Sequence, residues 1–110
     1  MRLWIDDVRP APEGYIWVTS VRLAKWAIEK CEQANVYAQK QGLKGRMVVE
    51  LIDIDHDAGD YAYDGGDYIK LLDWLEETGR NYPIRIHSMN PVGVANMRAI
   101  IERNGWTEVR

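Results

Sequence analysis

Apolar residues recur along this chain in two periods, one suited to strands and one to helices. The densest run, Met47, Val48, Val49, Leu51, Ile52 and Ile54, predicts a buried central strand from Arg46 to Asp55. It leads into Asp55-His56-Asp57-Ala58-Gly59. Side chains alternate faces along a strand, so Asp53, Asp55 and Asp57 would share a face if the strand continued. Gly59 is expected to break it and leave Asp55, His56 and Asp57 at its carboxyl end. Arg2 to Ile5 is a shorter apolar strand that runs into Asp6 and Asp7. Tyr15 to Val18, Ile84 to His87 and Trp106 to Val109 read as three more.

Helical spacing links Val21, Ala24, Ala27, Ile28, Cys31 and Ala34, with Thr19 or Ser20 as the cap and Gly42 as the stop. A second amphipathic helix is predicted from Asp67 to Glu77, with Ile69, Leu72 and Leu75 on one face. A third runs from Val94 to Asn104 with Met97, Ile100 and Ile101 inward and Gly105 as its stop. Polar, glycine- or proline-bearing stretches separate them: Val8 to Gly14, Asp57 to Gly66 and Ser88 to Gly93. Alternating strands and helices imply an α/β fold with a mostly parallel sheet. The stretch from Val8 to Gly14 is too short for a crossover helix, so Tyr15 to Val18 is expected at an edge or in an unusual pairing.

Three strands therefore end in chemically capable residues: Asp6-Asp7, Asp55-His56-Asp57 and His87-Ser88. Parallel strands bring these ends to one edge of the sheet, where α/β folds bind ligands. The set includes both histidines of the chain.

Composition narrows the chemistry. With 110 residues, a single domain over 1–110 is expected, and 46% hydrophobic residues can build one core. There is no Phe, so Trp17, Trp26, Trp74 and Trp106 are expected in that core. Seventeen acidic against fourteen basic residues leave a charge of -3, which argues against a broad nucleic-acid surface but permits a small phosphate ligand. Cys31 is the only cysteine, so no intrachain disulfide can form, and its helical neighbours predict a buried thiol. Arg2-Leu3-Trp4-Ile5 is followed by acids and falls short of a signal core. No run reaches membrane-spanning length. A soluble, cytoplasmic protein is the expectation.

Carboxylates gathered at one edge repel one another, and a divalent cation relieves the repulsion. Asp6, Asp7, Asp55 and Asp57 are the candidate oxygen ligands for Mg²⁺ or Mn²⁺. His56 and His87 titrate near neutral pH and are candidate acid–base groups, and they would also admit a transition metal. Arg9 has the bidentate geometry that suits phosphate, and Ser88 and Asn90 lie at a strand end where they could reach it. Each has a structural alternative. Asp6 and Asp7 can cap a loop or pair with Arg9, Ser88 can bond its own backbone, and Asn90-Pro91 is a turn signal. Asp60 and Asp64 read as solvated loop charges.

Paired acids after the first strand, an Asp after the central one and a Ser after a later one resemble the receiver domain of two-component response regulators. In that likeness Asp6 and Asp7 match magnesium-binding acids, Asp55 the phosphoacceptor and Ser88 the hydroxyl near the phosphoryl group. The receiver's lysine at the end of the last strand has no counterpart, and His56 and His87 are not receiver features. A closer resemblance is to the cyclic-phosphate processing receiver domain family. It rests on Trp4-Ile5-Asp6-Asp7-Val8-Arg9-Pro10-Ala11-Pro12-Glu13-Gly14, on Asp55-His56-Asp57-Ala58-Gly59-Asp60, and on Ile86-His87-Ser88-Met89-Asn90-Pro91-Val92-Gly93 with Asn96-Met97. Asp53 and Ala58 stand where that pattern has a small polar residue and a leucine.

The resemblance implies a receiver-like (flavodoxin-like) three-layer sandwich whose first crossover helix is missing. It implies metal-dependent opening of a cyclic phosphate on a nucleotide or ribose. Asp55, His56, His87 and Ser88 would be catalytic, with Arg9, Ser88 and Asn90 on the substrate. The alternative is a stand-alone receiver-like module that signals through phosphorylated Asp55 or senses phosphate without turnover.

Overall fold

β1 (Arg2–Ile5) pairs in parallel with β2 (Tyr15–Val18) on one side and with β3 (Leu51–Ile54) on the other. β4 (Ile84–Ile86) and β5 (Glu108–Val109) extend the sheet beyond β3, giving the all-parallel order β2-β1-β3-β4-β5. This is a receiver-like α/β sheet. The computed structural model describes residues 1–45 and 47–110. Arg46, the expected first residue of the central strand, lies outside the described residues. Three helices connect the strands: α1 (Val21–Lys40), α2 (Ile69–Glu77) and α3 (Pro91–Asn104). No helix joins β1 to β2, as expected, and β2 is an edge strand in ordinary parallel pairing.

The steps β2 to β3, β3 to β4 and β4 to β5 all move the same way across the sheet. Right-handed crossovers then put all three helices on one face, and α2 packs against both α1 and α3. Among the described residues the opposite face carries no helix, so the expected sandwich is helical in only one of its outer layers. The chain between β1 and β2 reaches that side, where the Trp4 indole donates to the Arg9 carbonyl at 2.9 Å.

The helical face holds the core. Leu3, Ile5, Ile52, Ile54 and Ile84 meet Val21, Ile28, Leu71, Leu72, Leu75 and Met97, all fully buried. Burying a side chain of this size stabilises by about 1.5–3 kcal/mol. Cys31 is buried there as expected, with its thiol 3.1 Å from the Met47 carbonyl.

Several elements differ from the expectation. The central strand is four residues long because its pairing with β1 begins at Arg2 and Leu51. Met47 to Glu50 has no strand partner among the described residues. It meets Met1 through Glu50 N–H to the Met1 carbonyl and the amino terminus to the Val48 carbonyl. The supposed loop from Asp57 to Gly66 contains a 3₁₀ turn, Gly59–Asp64, ended by Gly65 at φ +117°. α3 starts at Pro91, three residues early, because Asn90 caps it. The Asn90 Oδ1 accepts from Gly93 N–H at 3.0 Å, and proline at the first position lacks only a donor that would go unpaired.

Trp17 and Trp26 are exposed at 44% and 60%. Trp17 lies on the edge strand and donates its indole N–H to the Asp6 carbonyl. Trp106 is in the core, and Trp74 is half-buried under the Arg80 guanidinium. Asp64 is bound rather than solvated: it accepts from the Ser20 hydroxyl at 2.7 Å and from Arg22 at 2.6 Å.

Ser20 is fully buried, and its hydroxyl both accepts from Leu23 N–H and donates to Asp64. Ser20→Ala removes the cap of α1 and one partner of Asp64. It is expected to lower stability by about 1–2 kcal/mol, read from urea denaturation.

Candidate metal and phosphate site

Ile5, Ile54 and Ile86 lie in register at the ends of three adjacent strands. The next residues of those strands, Asp6, Asp55 and His87, therefore emerge side by side. The ladder continues through them, with Asp55 N–H donating to the Ile5 carbonyl at 2.9 Å and His87 N–H to the Ile54 carbonyl at 3.0 Å. One ligand atom from each of Asp6, Asp55 and His87 lies within 4.8 Å of the others.

Asp6 is fully buried. Burial alone would push its carboxyl up, but N–H bonds from Arg9 and Val8, together with His87, more than offset this and hold it below the ordinary range. His87 is clamped at both ring nitrogens. Nε2 faces Asp6 Oδ2 at 2.9 Å and Nδ1 faces Asp53 Oδ1 at 2.7 Å. The ring also stacks on Trp4, with centroids 3.8 Å apart and planes 3° from parallel. Asp53 is fully buried, and its other oxygen lies 3.3 Å from Arg85 Nη1.

Asp53 and Trp4 were not among the residues expected at the site. The signal for Asp53 was present as a carboxylate inside an apolar run, on the face of Asp55. The signal for Trp4 was its place at the head of the Trp4-Ile5-Asp6-Asp7 string, two residues before Asp6.

The remaining candidates are arranged unequally. Asp7 lies outside the three-residue ligand set. Its carboxyl is raised, first by burial and then by the charges of Asp6 and Asp55. It sits against Gly59, at φ +53°, where an added Cβ would overlap its carboxylate. His56 donates its N–H to Asp55 Oδ1 at 2.8 Å, and its ring Nδ1 bonds Asp57 Oδ1 at 2.9 Å. The ring packs on Gly93 at the start of α3, where a Cβ would collide with it. Asp57 is thus brought to His56 and not to Asp6. The strand ends at Ile54, so alternation no longer governs where Asp57 points.

Arg9, Asp55, Asp57, Ser88, Met89 and Asn90 line a cleft of about 330 Å³ beside the ligand set. Arg9 Nη1 also reaches the His87 carbonyl at 3.4 Å. Ser88 and Asn90 keep their structural alternatives too: the Ser88 hydroxyl accepts from Asn90 N–H, and Asn90 caps α3. A larger groove along α1, lined by Glu29, Glu32, Tyr37, Lys40 and Arg80 among others, contains none of the candidate residues.

Below the site, burial and the nearby Asp7, Asp6 and Asp55 push the Tyr68 hydroxyl far up, so it stays neutral and donates to the Thr19 carbonyl. Two carboxylate oxygens and an imidazole nitrogen at this spacing match the donors a divalent cation takes, so Asp6, Asp55 and His87 can hold a metal ion. Among the described residues no helix is long and apolar enough to cross a membrane.

A parallel sheet of this order, with acids at the ends of its first and third strands, defines a receiver-like α/β domain. The family model for the cyclic-phosphate processing receiver domain matches residues 1–103, and the chain belongs to that family. Comparison with curated proteins and with solved structures gives no match.

Two outcomes follow from this packing. Gly93→Ala forces the His56 ring aside and is expected to cost about 1–3 kcal/mol in urea denaturation. Adding His56→Ala recovers part of that loss. Asp7→Asn is expected to raise the melting temperature at pH 7 by about 2–4 °C. The folded protein holds the Asp7 proton more tightly than the unfolded chain. Stability therefore falls as pH rises from the ordinary carboxylate pKa through the raised one, and Asn removes that loss. Below this window both forms are neutral, and the two melting temperatures converge.

Proposed function

We propose that the protein opens a cyclic phosphodiester on a nucleotide or ribose, giving a phosphomonoester with the aid of a divalent cation. The observation that carries this reading is the meeting of Asp6, Asp55 and His87 beside a cleft whose wall offers Arg9, Ser88 and Asn90. Membership of a cyclic-phosphate processing family supports the substrate class. A small phosphorylated molecule is then the partner, and a nucleotide substrate fits a cytoplasmic protein.

Asp6, Asp55 and His87 would hold the cation, with Asp7 beside them. The oxygen donors suit Mg²⁺ or Mn²⁺, and the imidazole admits a transition metal. A cation held by these residues would supply Lewis-acid polarisation of the phosphoryl group. Arg9 takes non-bridging phosphate oxygens in a charge-assisted pair, and Ser88 and Asn90 orient the ring phosphate. His87 is committed to Asp53 and the ligand set. Proton transfer therefore falls to His56, which Asp57 orients through Nδ1. Water adds to phosphorus and gives up a proton to the base. One ring P–O bond breaks, and the released sugar oxygen takes a proton.

Incubating the protein with Mg²⁺ or Mn²⁺ and a panel of cyclic phosphates, followed by phosphorus NMR, tests the reading. Metal-dependent ring opening is expected, absent in Asp55→Asn and His87→Ala and reduced about 100-fold or more in His56→Ala. Turnover that survives Asp55→Asn and His87→Ala would refute the assignment. Binding without product would select a phosphate sensor. A gain of one acid-labile phosphate from a small phosphoryl donor would select a signalling module with Asp55 as its acceptor.

A further inference from the structure

Sheet register explains why Asp53 meets His87. Trp4, Asp53 and Arg85 are paired neighbours on β1, β3 and β4, so their side chains share one row on the face without helices. His87 follows Arg85 by two residues and returns to that face one step nearer the carboxyl edge. Its ring lies flat on Trp4 and reaches back to Asp53. Both ring nitrogens face carboxylates, and a cation that takes Nε2 from the Asp6 side would displace any proton there while leaving Nδ1 bonded to Asp53. Nε2 points the other way, toward Asp6 and the ligand set.

Asp53 has no route to substrate. It is fully buried, it does not line the cleft, and its two oxygens face His87 and Arg85. A carboxylate behind a ligating histidine fixes the ring's tautomer and orientation and raises its basicity. Trp4 adds a flat wall that stops the ring from rotating.

We infer that Asp53 is a positioning residue that makes His87 Nε2 a metal ligand, so that the site prefers a nitrogen-accepting divalent ion such as Co²⁺ or Zn²⁺ over Mg²⁺. This rests on reading Asp6, Asp55 and His87 as a metal centre. Mg²⁺ binds through oxygen and gives up its waters reluctantly, whereas imidazole suits the later transition metals. The oxygen ligands alone would not make that distinction. The nitrogen does, and its aim depends on Asp53.

The test uses metal ions alone, with no nucleotide. Wild-type protein is titrated with Co²⁺ and with Mg²⁺ by calorimetry, and the Co²⁺ complex is followed by its visible absorption. Co²⁺ is expected to bind at least about tenfold more tightly than Mg²⁺. Asp53→Asn, with its fold checked by circular dichroism, is expected to weaken Co²⁺ binding by about 10- to 100-fold and to alter the spectrum. Its Mg²⁺ affinity should change less.

Nitrogen NMR of ¹⁵N-histidine protein in the His56→Ala background, where His87 is the only histidine, keeps the proposal testable even if Asp53→Asn does not fold. Zn²⁺ should shift Nε2 and leave Nδ1 protonated. Equal affinity for Mg²⁺ and Co²⁺, a folded Asp53→Asn with unchanged preference, or an Nε2 signal unmoved by Zn²⁺ would each overturn the proposal. Tight Co²⁺ binding without opening of any cyclic phosphate would leave it standing and would count against the enzymatic reading alone.

Discussion

Burying two carboxylates under the end of a small parallel sheet carries a desolvation cost that hydrophobic packing cannot offset. Asp6 and Asp53 are both fully buried. They are tolerated because each of their oxygens has a polar partner within hydrogen-bond reach. Asp6 takes the N–H groups of Val8 and Arg9 as well as His87, while Asp53 takes His87 and Arg85. His87 is common to both, and the ring ties the ends of β1, β3 and β4 into one polar unit. A buried pair that loses one partner costs more than the pair contributes. The geometry of this edge therefore depends on His87 keeping both contacts.

The layering of the fold makes room for that unit. All three helices cover one face, and the apolar core lies between them and the sheet. On the other face, Trp4 stacks on His87 and lies edge-on to Tyr15, whose ring carries the Arg2 guanidinium. Side chains and the chain from Asp6 to Gly14 thus do the work that a helix does on the covered face. A polar cluster can reach the sheet's carboxyl edge from that side without passing through the core.

The loop after β3 is held by close fits rather than by further charges. Glycine at 59 lets the backbone pass Asp7, and glycine at 93 lets the His56 ring lie on α3. His56 in turn bonds backbone to Asp55 and ring to Asp57, so one residue links the strand end, the cleft wall and the helix start. Burial and the charges of Asp6 and Asp55 raise the Asp7 carboxyl above the ordinary carboxylate range. Repulsion among the remaining carboxylates is what a cation would relieve.

Local pattern was enough for most of the architecture. The convergence of three strand ends followed from the alternation of strands and helices, and the strands at Arg2–Ile5 and Tyr15–Val18, a cap at Thr19 or Ser20 and the missing first crossover helix were legible because each depends on neighbours close in the chain. So were Asp6, Asp55 and His87, as chemical residues placed where apolar runs stop. What the tertiary structure alone decided is who faces whom across strands. β3 shrank to four residues because pairing with β1 sets its length, and Asp57 left the cluster because the strand ended before it. Asp53 looked like an irregular residue in a buried run until the register set it beside Trp4 and Arg85 and behind His87, 34 positions away in the chain. Alternation can say which face a side chain takes. Only the register between strands, fixed by hydrogen bonds over long sequence separations, says which partner waits there.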